Sequence, residues 1–324
     1  MQRVMSLGKE TGPSTFRRGG LALTAFVSLL VCSASAYGVE LTVECSNPRA
    51  KLKSITQALA FLPKQGPNTI HVSGACNENV IIDGFDNLTL VANPGASIND
   101  PTPSIPDDND VVDVLNSRHI TVDGFTINGG FDGIGCGQYS LCILNNNTVQ
   151  GASDAGVALG RGTSANLRGN TIQNNADGFF AGGGAVAVVA GGTIQGNTGV
   201  GAYAFNNGHM TFIDDGGTPA TIHENSAEGI VAQSGSTILL ANTAVSMNGA
   251  DGILALDASV VRVGQNAQIT GNGGNGVQLL ESSFAFVGGS ADLSGNGGSP
   301  VVCAGTFSNA RAMGANAGLS CHNP

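Results

Sequence analysis

Five carboxylates fall at or just before a recurrent glycine in successive segments of the chain: Asp132, Asp154, Asp177, Glu228 and Asp251. Acidic groups repeated in this way can bond the N–H groups of tight turns, hold a hard cation through oxygen ligands, or exchange protons with a substrate. Asp132, Asp154 and Asp177 are the closest-spaced three and form a candidate Ca²⁺ site; no other cofactor is indicated. Asp154 stands one residue out of register, and Val200 breaks the row at the equivalent place. Neighbouring charges about 5 Å apart repel by on the order of 1 kcal/mol in a water-like dielectric. Turn chemistry is therefore the simpler reading and a cation the alternative, with Arg161 placed to offset Asp154 and Asp177.

A second set surrounds the insertion Asp214-Asp215-Gly-Gly-Thr-Pro, with His209 before it and His223-Glu224 after it. Carboxylates and imidazoles are metal-ligand and acid–base types, so His209, Asp214, Asp215 and His223 form a candidate insertion-loop site. A tolerated surface loop between unrelated histidines is the simpler reading. His71, His119 and His322 stand alone.

The elements that must position these residues come from a repeat. Ile127, Val149, Ile172, Ile194, Ile222, Val245, Ile269 and Leu293 head similar segments such as TIQNNADGF and TIHENSAEGI, at spacings of 22, 23, 22, 28, 23, 24 and 24 residues. Two further short β-like runs lie between successive anchors, separated by Gly, Asn and Ser. Three strands in about 23 residues make one coil of a three-sided solenoid, stacked at about 4.8 Å. The eight anchors then form one inward column. Glycines before the next strand, and Asn147, Asn170, Asn242 and Asn266 at bends, suit positions of positive φ, the last three as a partial amide ladder. No apolar pattern after Leu62 keeps a helical period.

Ser54-Ile-Thr-Gln57 is a capping box, and Ile55, Ala58, Leu59 and Leu62 form one apolar face of a short helix ended by Pro63 and Gly66. The expected organisation is all-β: a right-handed three-sided parallel β-helix of roughly ten coils with a short N-terminal capping helix. Residues 37–324 form one domain, with an N-terminal cap over 37–68, coils over 69–303 and a tail over 304–324. Residues 97–113 are expected to be a loop.

Residues 1–36 have the form of a secretory signal: basic Lys9, Arg17 and Arg18, the apolar run Leu21–Cys32, and Ala34-Ser35-Ala36 before a mature start at Tyr37. That run is too short to span a bilayer, and no later stretch is longer. Export implies a secreted, periplasmic or cell-surface protein. Six cysteines remain after Cys32 is removed, an even set that reads as three disulfides. Spacing permits fifteen pairings, and locality along the chain selects Cys45–Cys76, Cys136–Cys142 and Cys303–Cys321. The mature chain keeps 9 basic and 22 acidic residues, a net charge near −13. Nucleic acid and anionic membrane are poor partners for it.

The opening SITQALAFLPKQGPNTIHVSGACNENVIIDGFDNLTLVANPGASI resembles that of pectin-lyase-like right-handed parallel β-helix proteins, in which a cap helix leads into T-I-x-V, E-N-V-x-I and N-L-T-L strands. The resemblance covers nearly the whole mature chain and is specific for fold. Its members include lyases, hydrolases, esterases, epimerases, tailspikes and adhesins, so it implies an extracellular polysaccharide as ligand without selecting an activity.

The catalytic signatures of that family do not match. Gly208-His209-Met210 precedes Asp214-Asp215, in the wrong order for a polygalacturonase, and no Arg-x-Lys follows. Leu159-Gly160-Arg161 continues with Gly162 and the chain has no tryptophan, unlike a pectin methylesterase. If it is an enzyme, the implied class is polysaccharide lyase or glycoside hydrolase. Asp154, Arg161, Asp177, Phe180 and Tyr203 are the candidate carbohydrate-binding residues, the two rings lying in an outward apolar stripe with Ala158, Val231, Leu254 and Gln278. The stripe could equally seat a protein partner. The reading from another class is a non-enzymatic structural or adhesive surface protein.

Overall fold

The computed structural model describes residues 38–102, 109–305, 307–316 and 321–322. The signal-like segment, Cys32 and Tyr37 lie outside the described residues. Within them, runs of three to nine residues with alternating burial pair in parallel with runs one coil away. They form three sheets of 13, 9 and 10 strands, here the first, second and third faces. Each coil supplies them in that order, as in Leu141–Asn145, Thr148–Gln150 and Ala155–Leu159.

The anchors stack as their spacing requires. Ile127, Val149, Ile172, Ile194, Ile222, Val245 and Ile269 pair in register up the second face, and all are buried. Each burial contributes about 2 kcal/mol against chain entropy. The 28-residue interval leaves this register intact, so its extra residues are extruded at a corner.

Helix α1 (Ile55–Phe61) starts at Ser54, whose side chain accepts from Gln57 N–H, and buries Ile55, Ala58 and Leu59 against the first strands. The Gln57 side chain bonds Lys53 N–H instead of the cap residue itself. Glu78 completes the cap by accepting from Ile55 and Thr56 N–H at 2.7 and 3.0 Å. All three expected disulfides are formed.

The 37–68 cap contains the strand Val39–Glu44, and the tail contains Asn309–Ala312, which extends the first face. An antiparallel pairing of Asn309–Ala310 with Cys321–His322 then closes that edge. The 97–113 loop begins and ends in strands, Ser97–Asn99 and Val112–Leu115.

Asn170 shares a column with Asn147, not with Asn242 or Asn266. Asn147 Nδ2 donates to Asn170 Oδ1 at 3.1 Å, whereas Asn266 and Asn242 bond each other on the surface. The main buried ladder is Asn175, Asn197, Asn225, Asn248, Asn272 and Asn296. Each of the first five donates from Nδ2 to Oδ1 of the next at 2.8–3.2 Å. Each residue stands three after an anchor.

The glycines before the third-face strands have ordinary φ, contrary to expectation. Their role is close approach. A Cβ on Gly178 would lie 2.8 Å from Asn197 Nδ2 and closer still to Ile194 Cγ2.

Candidate functional site

The third face presents a row of residues outward between two rows that point into the core. Register places Asp113, Gly135, Ala158, Phe180, Tyr203, Val231, Leu254 and Gln278 one above another in that row. Its upper part is the apolar stripe read from the sequence. Its lower part opens where residue 135 is glycine and residue 158 alanine.

Three residues before each of these outward positions the chain turns, and carboxylates gather there. The column reads Glu78, Asp110, Asp132, Ala155, Asp177, Val200, Glu228 and Asp251, so Asp154 is one residue out of it. Asp110 Oδ1 accepts from Asp132 N–H at 3.2 Å, Asp132 Oδ1 from Ala155 N–H at 2.9 Å, and Asp177 Oδ1 from Val200 N–H at 2.8 Å. Each therefore satisfies a turn donor in the coil above, as the turn reading requires.

The lower members do more than this. A cleft of about 280 Å³ is lined by Asp110, Asp113, Asp132 and Asp154, floored by Gly135 and walled by Phe180. Asp110 Oδ2 and Asp113 Oδ1 both lie within 3.5 Å of the point a Cβ on residue 135 would occupy. Only glycine leaves room for the two to converge.

Burial, reinforced by Asp113 and Asp154, raises Asp110 to about 6 against one opposing backbone bond. Burial and the charge of Asp110 raise Asp132 to about 7. Asp113 is raised by burial and Asp83, and Asp154 by burial and Asp177. No basic side chain pairs with them: the ion pairs among the described residues are His119–Asp86, Arg168–Asp215 and His223–Glu224. Arg161 does not pair with Asp154 or Asp177. It occupies a left-handed turn beyond the far end of the strand that Asp154 precedes.

Above the cleft the rings continue. Phe180 and Tyr203 meet edge to face with centroids 5.7 Å apart, and Phe205 lies 5.9 Å from Tyr203. Tyr203 Oη donates to Gln233 Oε1, whose amide is held by Asp257. Burial, then the charges of Asp177 and Asp257, push the phenol above its ordinary value.

Asp132, Asp154 and Asp177 do not converge on one point. Among the described residues, the trio of His, Cys, Asp or Glu side chains with ligand atoms within 4.8 Å of one another is Cys45, Cys76 and Glu78, and its two cysteines form a disulfide. The insertion set is not assembled either. His209 begins the strand His209–Ile213 on the first face, Asp214 and Asp215 follow its other end, and His223 lies on the second face. Of the lone histidines, His119 reaches Asp86 at 3.0 Å.

Sequence reasoning missed Asp110 and Asp113, which lay inside the presumed loop. A signal was present: Asp110 precedes Val112 by the same two residues that separate Asp132 from Ile134. No helix among the described residues is long and apolar enough to cross a membrane.

A family model described as a right handed beta helix region matches residues 68–216 and 132–296. No curated protein matches the chain in sequence. Among solved structures, the A-module of mannuronan C-5 epimerase AlgE6 from Azotobacter vinelandii is 15% identical, with a TM-score of 0.50 over 76% of this chain and 78% of that one. The AlgE4 A-module from the same organism is 12% identical, with a TM-score of 0.48 over 75% and 82%. Pectate lyase Pel9A is 14% identical, with a TM-score of 0.48 over 86% and 80%. At these identities the likeness is one of fold.

Proposed function

We propose that this chain, which belongs to the right-handed β-helix family, is an extracellular protein that holds a polysaccharide along its third face. The observation that carries this reading is the continuity of the cleft over Gly135 with the ring row Phe180, Tyr203 and Phe205. Aromatic faces and edges suit the apolar faces of sugar rings, and carboxylates accept hydrogen bonds from their hydroxyls. A structural relative named as a mannuronan epimerase lends the reading support by analogy of fold. Three disulfides and the signal-like N-terminus support an extracellular location.

Binding should be measured by calorimetry on the mature protein against pectate, alginate, glycosaminoglycans and neutral glycans. At least one polymer should bind, and Phe180→Ala with Tyr203→Ala should weaken it by about tenfold or more, on the order of 1 kcal/mol per ring. Failure to bind any member would favour the structural or adhesive reading.

Cleavage of the bound polymer is favoured by one further observation. Asp110 and Asp132 titrate near neutrality in one cleft, where a protonated carboxyl can donate to a leaving oxygen and an ionised one can accept a proton. New reducing ends, lost in Asp132→Asn, are the expected product of hydrolysis. Unsaturated ends would indicate elimination instead.

A further inference from the structure

One coil departs from the period, and what it builds has no part in the third-face cleft. Its extra residues form a turn through Asp214–Pro219 where the first face passes into the second. Beside that turn lies a cleft of about 400 Å³ lined by Asp214, Pro219, Asn242, Thr243, Asn266 and Gln268. We propose that this corner is a second binding site, for one or two residues of an uncharged saccharide.

The turn is held in place by several independent ties. Asp215 and Thr218 exchange backbone hydrogen bonds of 2.8 and 3.0 Å. Asp215 pairs with Arg168, two coils earlier in the chain, at 3.4 Å. Asp214 Oδ2 accepts from Gly217 N–H at 2.9 Å, and Gly216 and Gly217 supply the positive φ that the reversal needs. A wall fixed in this way loses little freedom when a ligand binds.

The cleft's polar groups are ordered as well. Asn266 Nδ2 donates to Asn242 Oδ1 at 3.0 Å, and Asn242 Nδ2 donates to Asp214 Oδ1 at 2.9 Å. This relay orients two amide planes and keeps the Asp214 carboxylate ionised, since bonds from Asn242 and Gly217 lower its pKa. The carboxylate keeps lone pairs beyond the two it uses. Asn266 keeps its carbonyl oxygen, each amide keeps a second N–H, and Gln268 adds another amide.

A planar carboxylate beside planar amides is a set that takes neighbouring hydroxyls, each as donor and acceptor. Other ligands fit less well. The one lining charge is negative and repels uronates. A divalent cation would find a single carboxylate among amide N–H donors that it cannot use. Pro219, Thr243 and Ala244 give only a small apolar surface, too little to seat a large hydrophobic side chain.

The test is a titration of the ¹⁵N-labelled mature chain with neutral trisaccharides of glucose, mannose and galactose, followed through side-chain amide signals. At least one should shift the Asn242, Asn266 and Gln268 amides. Asp214→Ala and Asn266→Ala, each with a parental melting temperature, should weaken that binding about tenfold. Phe180→Ala, in the other cleft, should leave it unchanged, so failure of the third-face reading is distinguishable from failure here. The proposal is overturned if none of the trisaccharides moves these signals up to about 20 mM. It is also overturned if both variants respond like the parent, or if only Ca²⁺ or trigalacturonate moves the signals.

Discussion

Replacing Asp132 by asparagine separates the charge of the acidic cleft from its hydrogen bond. The amide oxygen can still accept from Ala155 N–H, as Asp132 Oδ1 does at 2.9 Å. The carboxyl titrates at about 7 in the folded chain against an ordinary 3.8. Between those pH values the folded chain keeps a proton that the unfolded chain has released. Stability is therefore fully present below pH 4 and is lost as pH rises through 7. Ionising a carboxyl displaced this far costs about 4 kcal/mol. Part of that cost reflects repulsion from Asp110, so Asp132→Asn should gain about 2–4 kcal/mol at pH 8. At roughly 2 °C per kcal/mol for a chain of this size, the variant should melt about 4–8 °C above the parent at pH 8. At pH 4 the two should agree within about 1 °C, because both are uncharged at this position. Calorimetric melts at half-unit steps between these limits would trace the divergence. A difference that stays flat with pH, or a variant that melts lower at pH 8, would refute the argument that burial and Asp110 hold Asp132 protonated.

Ile172→Asp places a charge in the buried second-face column and should cost several kcal/mol; a melting temperature equal to the parent's would mean that the assigned facing is wrong. Asn225→Ala removes the partner of Asn197 N–H and Nδ2 and breaks the ladder, at about 2–4 kcal/mol by denaturant titration, whereas Asn166→Ala, at an exposed strand position, should cost under about 0.5; equal effects would contradict the ladder's role. Millimolar Ca²⁺ should move the melting temperature by less than about 1 °C, because Asp132 and Asp177 already bond turn N–H groups; a large rise, abolished in Asp177→Asn, would establish a cation site instead.

The fold was legible because its signal is one-dimensional. An aliphatic residue every 22–24 positions, with one interval of 28, must lie on one line if the chain is to bury it, and the polar residue types between the anchors mark the turns. Register then followed for Ile127 through Ile269, together with the outward placing of Phe180 and Tyr203. The buried ladder was equally present in the sequence, as an Asn three residues after most anchors. Residue type alone does not mark it, because asparagine also relieves positive φ at bends, as Asn242 and Asn266 do.

The candidate site was only half legible. The spacing revealed the column of Asp132 and Asp177, whose immediate task is to satisfy turn N–H groups. It did not reveal Asp110 and Asp113, because the irregular stretch before them hides their coil from any count of periods. Nor could it place Arg161, which lies a short way along the chain from Asp154 but a full strand length away in space.

The sequence by itself determined the coil, its three faces, the inward column and the local disulfides, since each depends on residues near one another in the chain. Only the tertiary structure decided which polar groups share a cleft. Asp110 and Asp132 line one cleft, and Asn266 reaches Asp214 through Asn242, because stacking brings side chains from successive coils to about 4.8 Å. At that spacing burial and charge act between residues 20 to 50 positions apart. Hydropathy along the chain records which residues are buried, and it holds no record of which carboxylates face one another.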